Sequence, residues 1–465
     1  MPRAGFAVAL VAVTMAVFGQ PPVFGQAQKA QEQMAQAQKA PASKGAQARG
    51  PDYGPNPDIA KPETNALLPT ISWPTVEPWP DGTAPRAAQG LAVKAFARGL
   101  THPRWLYVLP NGDVLAAEAA SLPAESWSPR ALVQNYVMRQ VRSIGTNANR
   151  ITLLRDTNND GVADERHVFL ENLRQPFGMA LIGDRFYVAH TDSVVVYPYK
   201  EGDTRIVADG SKIMSLKVGH HWTRNILATK DGTKLYVTVG SGSNIAENGQ
   251  AEEVERAAIH ELDLAGGKSR LFAGGLRNPN GMGWEPQTGA LWTVVNERDE
   301  LGDQLPPDYL TSVQDGGFYG WPWSYWGKHV DTRVEPQRPD LVAKSITPDY
   351  ALGGHTAALG LTFDEGSKLP APYQGGAFIG QHGSWNRSNL EGYRVIFIAF
   401  KDGKPHGAPV DVLTGFLIGD GDKAHGRPVG VTFDRSGALL VADDAGDAIW
   451  RVTGANAVSE TKPRN

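Results

Sequence analysis

Apolar and polar positions along this chain recur in one unit. A turn containing Pro or Asn leads to a small residue or glycine, then to a short apolar run, a tight Asn-Gly, Asp-Gly or similar turn, and a second apolar run ending near an acidic or polar position. The unit is visible at 102–118, 175–189 and 221–239, and it starts again at Arg277, His355 and Arg427. Paired apolar runs flanking such turns are the strongest local signal for a β-hairpin. Six hairpin units at irregular spacing predict an all-β chain, a six-bladed β-propeller with an N-terminal extension and with insertions of different length between blades. The last unit carries a hairpin at 439–443 and 449–452, and a strand begun near residue 90 is expected to complete its blade and close the ring.

The propeller arrangement gives the head of each unit a meaning. The innermost strand of every blade lines the central channel, so His102, Gln175, His221, Arg277, His355 and Arg427 are expected to converge on one axial pocket. Any one of them is equally well read as a loop cap at the rim. Six at the same phase favour convergence.

Composition narrows the chemistry. A net charge of -4 with mixed signs offers no basic footprint for nucleic acid. Cysteine is absent, so any metal must be held by oxygen or imidazole, which makes calcium the first expectation. The start, Met1 to Arg3 followed by an apolar run to Phe18, fits a secretory signal peptide within residues 1–25 and hence a periplasmic or secreted protein; membrane attachment follows only if that segment is retained. Residues 26–86 read as a disordered Ala/Gln/Lys linker leading into a Pro/Trp-rich strap, 87–455 as the propeller domain, and 456–465 as a tail.

Three stretches carry candidate chemistry. Asp156, Asn158, Asp160 and Asp164 sit at calcium-loop positions around Gly161, but His167 stands where the bidentate acid belongs, so an Asx-rich turn between strands is the competing reading. The acidic loop with Glu297, Asp299, Glu300 and Asp303 requires a cation, Arg298 or full solvation to offset carboxylate repulsion. His220 and His221 point to opposite faces of an extended segment, so one of them at most faces the channel, where it is suited to general base work. No dinucleotide fingerprint, Walker A motif or zincin motif is present.

Taken together, Arg277 to Gly281, the segment Asn296 to Asp303 and the turn Gly317 to Pro322 resemble the soluble sugar dehydrogenases that depend on pyrroloquinoline quinone (PQQ), most closely the L-sorbosone dehydrogenase branch. The resemblance spans roughly 90–453 and implies a six-bladed propeller with PQQ and calcium at its axis. It also implies that His221 is the catalytic base and that Arg277 and Asn278 contact the quinone oxygens. Gln175 matches a PQQ-contacting glutamine, Arg427 an arginine for the PQQ carboxylates, and Asp299, Glu300 and Asp303 the segment that supplies the calcium. The substrate implied is a small sugar or sugar aldehyde, with an external electron acceptor. His425 departs from the glucose-oxidising members, which have a second arginine there, leaving Arg387 as a substitute; the acidic loop is also more acidic than theirs, and near His382 and Trp385 the family's lysine is not found. A calcium-dependent lactonase or esterase on the same kind of ring, and a non-enzymatic binding propeller, remain the competing functions.

Overall fold

The apolar runs of the repeat become strands because their β-branched and aromatic residues are covered on both faces by neighbouring sheets. In the computed structural model the described residues are 51–63, 72–123, 129–419 and 421–455. The expected signal peptide, the linker up to residue 50 and the tail 456–465 lie outside them. Six antiparallel sheets of four or five strands contain most of the strands among the described residues. Sheet I begins with Pro103–Val108, sheet II with Met179–Ile182, sheet III with Ile226–Ala228, sheet IV with Asn278–Trp284, sheet V with Ala358–Phe363 and sheet VI with Pro428–Phe433. Each runs outward as a meander, which is the layout of a β-propeller. Burial follows the position in the meander: Val114–Glu118 and Leu439–Asp443, both second strands, are buried throughout, whereas the outermost strand of sheet II, Ser211–Ser215, is largely exposed.

The first strands touch in cyclic order, and the small residue of each repeat unit explains how. A Cβ on Gly178 would strike the backbone of Asn225 and Ile226 in sheet III, and one on Gly281 would strike Leu359 and Leu361 in sheet V. Gly360 lies in the same way on Val429 of sheet VI, and Gly430 on Arg104 and Trp105 of sheet I. Hydrogen bonds join the two remaining pairs: Leu181 N donates to Tyr107 Oη at 3.0 Å, and Asn225 Nδ2 to Asn280 O at 3.1 Å. Between the sheets, aromatic rings meet edge to face, such as Phe169 with Phe186 at 5.4 Å and Phe363 with Phe400 at 5.1 Å.

The fourth strand of sheet VI is Leu91–Arg98, paired antiparallel with the C-terminal strand Ala448–Gly454. The strand near residue 90 thus makes the pairing expected of it, and chain ends far apart in sequence lock one sheet. The Pro/Trp-rich strap is ordered where it is described and pairs with three parts of the molecule: Tyr53–Gly54 with Tyr350–Gly354, Thr75–Val76 with Lys423–Ala424, and Arg86–Ala87 with Lys404–Thr414. Backbone pairing and Trp79 offset the cost of ordering this strap along the domain. Trp79 Nε1 donates to Asp443 Oδ2 at 2.7 Å, and its ring meets Trp450 edge on at 5.1 Å.

Trp450 is fully buried at this closure, with Arg98 stacked over its ring and its own Nε1 on Asp443 at 3.0 Å. Trp450→Ala is expected to cost about 3–5 kcal/mol, the usual range for emptying an aromatic core position, read as a lower urea midpoint. An unchanged midpoint would mean that the two chain ends do not hold the last sheet together.

Candidate active site

All six repeat heads lie where the chain enters a first strand, and the local backbone there is unusual. His102, Gln175 and His355 adopt left-handed conformations, at φ of 58°, 46° and 58°. Such conformations are uncommon for residues other than glycine, and here neighbouring side chains fix two of them. His102 N donates to Asp447 Oδ1 at 3.1 Å, and Gln175 N to Asn149 Oδ1 at 3.0 Å. In sheets I, IV, V and VI the pairing of the first strand with the second also slips in register at its head. Bulges of this kind re-aim side chains.

Three of the heads, His221, Arg277 and His355, stand on one circuit whose links are contacts and short stretches of chain. His221 Nδ1 donates to Ser241 O at 2.9 Å, and Ser241 N donates to Arg277 O at 2.8 Å. Arg277 Nη2 reaches Asn244 Oδ1 at 3.0 Å and Asp299 Oδ2 at 3.2 Å. Asn386 Nδ2 donates to Asp299 Oδ1 at 2.8 Å and lies 3.2 Å from His355 Nδ1. Four residues before Asn386, His382 Nε2 bonds Asp444 Oδ2 at 2.9 Å, and Arg104 Nη1 pairs with the same oxygen. Arg104 lies 5.4 Å over the ring of Trp222, which follows His221 in the chain and closes the circuit. Gly240 keeps the site tight: a Cβ there would collide with both His221 and Asn278 Oδ1.

The electrostatics favour a neutral base among cations. Burial, then His220 and Arg277, push the His221 imidazole well below its ordinary value. A carbonyl oxygen can only accept, so Nδ1 carries the proton and Nε2 is the proton-accepting atom. Burial and then Arg427 bring His382 down to about 3. Burial alone would raise Asp444, yet His382, His102 and Arg104 around it hold its carboxyl well below the usual range. Burial raises Glu297 to about 7, against the opposing pull of the Arg298 N–H and Arg277.

Several site residues differ from expectation. Arg277 and Asn278 are buried, with Arg277 on the circuit. Gln175 is buried but gives its amide to Ala120 O at 2.9 Å. Arg427 spends donors on His382 O, Gly383 O and Ser143 Oγ, at 3.1, 3.2 and 3.1 Å, so it braces the 382–383 turn as well as facing the site. Arg387 donates to Gly354 O and Asn389 O, and His425 contacts Glu77 O and stacks on Trp79; neither joins the circuit. The expected carboxylate cluster for calcium does not form. Asp299 is the ion-pair partner of Arg277, Glu300 is exposed at φ 73°, and Asp303 Oδ2 accepts from Ser388 N at 3.0 Å. At 156–164 the carboxylates turn inward on their own loop: Asp156 accepts from Asp160 N and Gly161 N, Asn158 from Asp160 N, Asp160 from Val162 N and Asp164 from Thr157. That is the Asx-rich turn. Among the described residues no group of three or more His, Asp or Glu side chains is placed to hold a metal ion.

The repeat pattern did not single out Arg104, Asn244, Asn386 or Asp444. Arg104 was legible as the residue two after His102; Asp444 and Asn386 come from later turns, whose approach only the ring creates. Arg104 Nε, Arg277 Nε, Asn278 Oδ1, Glu297 Oε1 and Asp444 Oδ1 are buried without a hydrogen-bond partner. Such orphans mark a place built for a polar ligand. Buried guanidiniums beside an amide fit a polycarboxylate quinone such as PQQ.

The TrAA12-like family model matches residues 141–309 and 337–455, more than half of the chain. A pyrroloquinoline quinone-dependent sugar dehydrogenase of Hypocrea jecorina is 24% identical over 424 residues, covering 79% of this chain and 89% of that protein. The calcium structure of a Trichoderma reesei family AA12 carbohydrate-active enzyme superposes with a TM-score of 0.66 at 20% identity, covering 80% of this chain and 97% of that one. The holo PQQ domain of a Coprinopsis cinerea pyranose dehydrogenase gives 0.64 at 19% identity, covering 82% and 100%. At these identities the two structures establish a shared fold. The family match goes further: the chain belongs to the TrAA12-like family, among the soluble PQQ-dependent sugar dehydrogenases.

Proposed function

We propose that this protein is an exported PQQ-dependent dehydrogenase that oxidises an aldose or a sugar aldehyde, sorbosone included, on a six-bladed ring. The observation that carries the reading is the circuit itself, in which a neutral His221 with a free Nε2 faces Arg277 and Asn278. When bound, PQQ would supply the hydride acceptor. Arg277 and Asn278 would hold its quinone oxygens, and Arg104 with Arg427 its carboxylates, since a guanidinium fork matches a carboxylate. His221 Nε2 takes the proton from the sugar hydroxyl, and the Ser241 carbonyl fixes the tautomer that makes this possible. Arg277 places positive charge where negative charge develops on the acceptor. Calcium polarising the quinone is supported by the resemblance and by the calcium structure of the relative; here it would draw on backbone oxygens and single carboxylates rather than on a carboxylate cluster. Export rests on the N-terminal pattern, and the electron acceptor is an external partner.

Titrating the protein with PQQ, with and without calcium, is expected to give a saturable absorbance change, followed by dye-linked oxidation within a panel of aldoses and sorbosone. No binding together with no oxidation would sink the reading. Hydrolysis of lactones without quinone would instead favour a lactonase.

His221→Ala is expected to lower kcat/KM by about 100- to 10,000-fold, the usual contribution of a general base, while PQQ binding persists. The base acts as the neutral imidazole, so activity rises as pH passes upward through its folded pKa. Because that pKa is depressed, the acidic limb of the kcat/KM profile should lie below about 6.5, with activity flat through neutral pH. An acidic limb at or above the ordinary histidine value would remove His221 from the role.

A further inference from the structure

The loop that carries His221 runs irregularly from the end of Ser211–Ser215 to the start of Ile226–Ala228, and residues 217–220 are exposed. A loop of this kind leaves backbone carbonyls without ladder partners. Two guanidiniums meet them from beneath. Arg224, fully buried, donates from Nη1 to His221 O at 2.7 Å and to Thr223 O at 2.8 Å, and from Nη2 to Lys217 O at 2.7 Å. Arg256 Nη2 donates to Val218 O, and its guanidinium lies against Gly219 and Gly242 so closely that a Cβ at Gly219 would press on it. One loop is thus gripped at four carbonyls by two side chains.

Neither arginine makes a direct ion pair among the described residues, Glu253 and Glu252 acting on Arg256 and Asp192 on Arg224 only through space, and Arg224 Nε, Arg256 Nε and Arg256 Nη1 are buried without a hydrogen-bond partner. A guanidinium with its charge unpaired in the interior is costly. An apolar side chain could fill the space, so the charge and the fork geometry need a reason. The neighbour supplies one: Arg224 bonds the carbonyl of His221 itself.

We propose that Arg224, backed by Arg256, is a positioning residue for His221: its fork fixes the backbone from which the imidazole projects, and its unpaired charge disfavours a second proton on that ring. The inference rests on the reading of His221 as the base. The charged groups facing His221 are His220 beside it, Arg277 from the head of sheet IV and Arg224. Each is cationic or becomes so on protonation, and no carboxylate in the set opposes them. Ser241 O on Nδ1 is the partner that pulls the other way.

The test uses the full chain without cofactor as well as the loaded enzyme. Histidines carrying 13C at Cε1 are titrated by NMR, with His221→Asn assigning the signal. Arg224→Met, which removes charge and fork together, is expected to move the His221 midpoint upward, toward the ordinary value near 6.5. Arg224→Lys keeps the charge and should leave that midpoint close to wild type. Both should lower kcat of the PQQ-loaded enzyme by about 100-fold, the scale of a misplaced catalytic group, with KM changing less. Arg256→Gln should lower kcat in the same direction, and it stands as the test should neither Arg224 variant fold. The proposal is overturned if Arg224→Met folds with an unshifted midpoint, or if Arg256→Gln keeps wild-type kcat. Full activity in His221→Asn would instead remove the base reading, while the midpoint in Arg224→Met still reports on the charge.

Discussion

The close approach of the six first strands is the constraint on which everything else depends. Backbones can pack this near one another only where no Cβ intervenes, and Gly178, Gly281, Gly360 and Gly430 each meet the neighbouring first strand at such a point. Side chains of ordinary size there would push the sheets apart and open the ring. With the strands held close, the residues at their heads have little choice of direction. Left-handed backbones at His102, Gln175 and His355, and slipped register at four of the six strand heads, let the chain enter the strands while its polar side chains meet one another.

The ring then sets the electrostatics. Arg104, Arg224, Arg277 and Arg427 are all buried near the circuit, and their donors go largely to carbonyl oxygens, with Asp444 paired to Arg104 and Asp299 to Arg277. Carbonyls satisfy a guanidinium's N–H groups without cancelling its charge. The site is therefore electropositive at the same time as it is well hydrogen-bonded. That combination suits an anionic, oxygen-rich ligand and keeps a nearby imidazole neutral, two properties that a site of paired charges would not provide together.

What the sequence made legible, and what it hid, divides along the same line. Hairpin turns and the small residue of each unit are local, so the all-β architecture and the phase of His221, Arg277 and Arg427 could be read directly. Asp444, Asn386 and Asn244 belong to turns that reach the circuit only when sheets distant in sequence become neighbours, and nothing in their local pattern distinguishes them. The acidic loop misled for a related reason. Counted along the chain, Asp299, Glu300 and Asp303 look like one cluster; folded, the left-handed turn at Glu300 sends them to Arg277, to solvent and to the Ser388 N–H. At 156–164 the short Asx side chains accept from their own loop's N–H groups, the contacts of an Asx-rich turn between strands.

Asp443 shows how the strap and the site are joined in one element. Its carboxylate is buried, and burial raises it to about 6 against the pull of four N–H donors: Trp79 and Trp450 through their indoles, Arg427 and Gly446 through their backbones. One side of this residue therefore holds the N-terminal strap and the C-terminal strand, and the other holds the head of sheet VI from which Arg427 projects. The next residue, Asp444, faces the opposite way, to Arg104 and His382. Alternation along a strand end thus places the closure of the ring on one carboxylate and the organisation of its cations on the adjacent one. A change in how the chain ends are held should for that reason be felt first at Arg427 and Arg104, and only through them at His221.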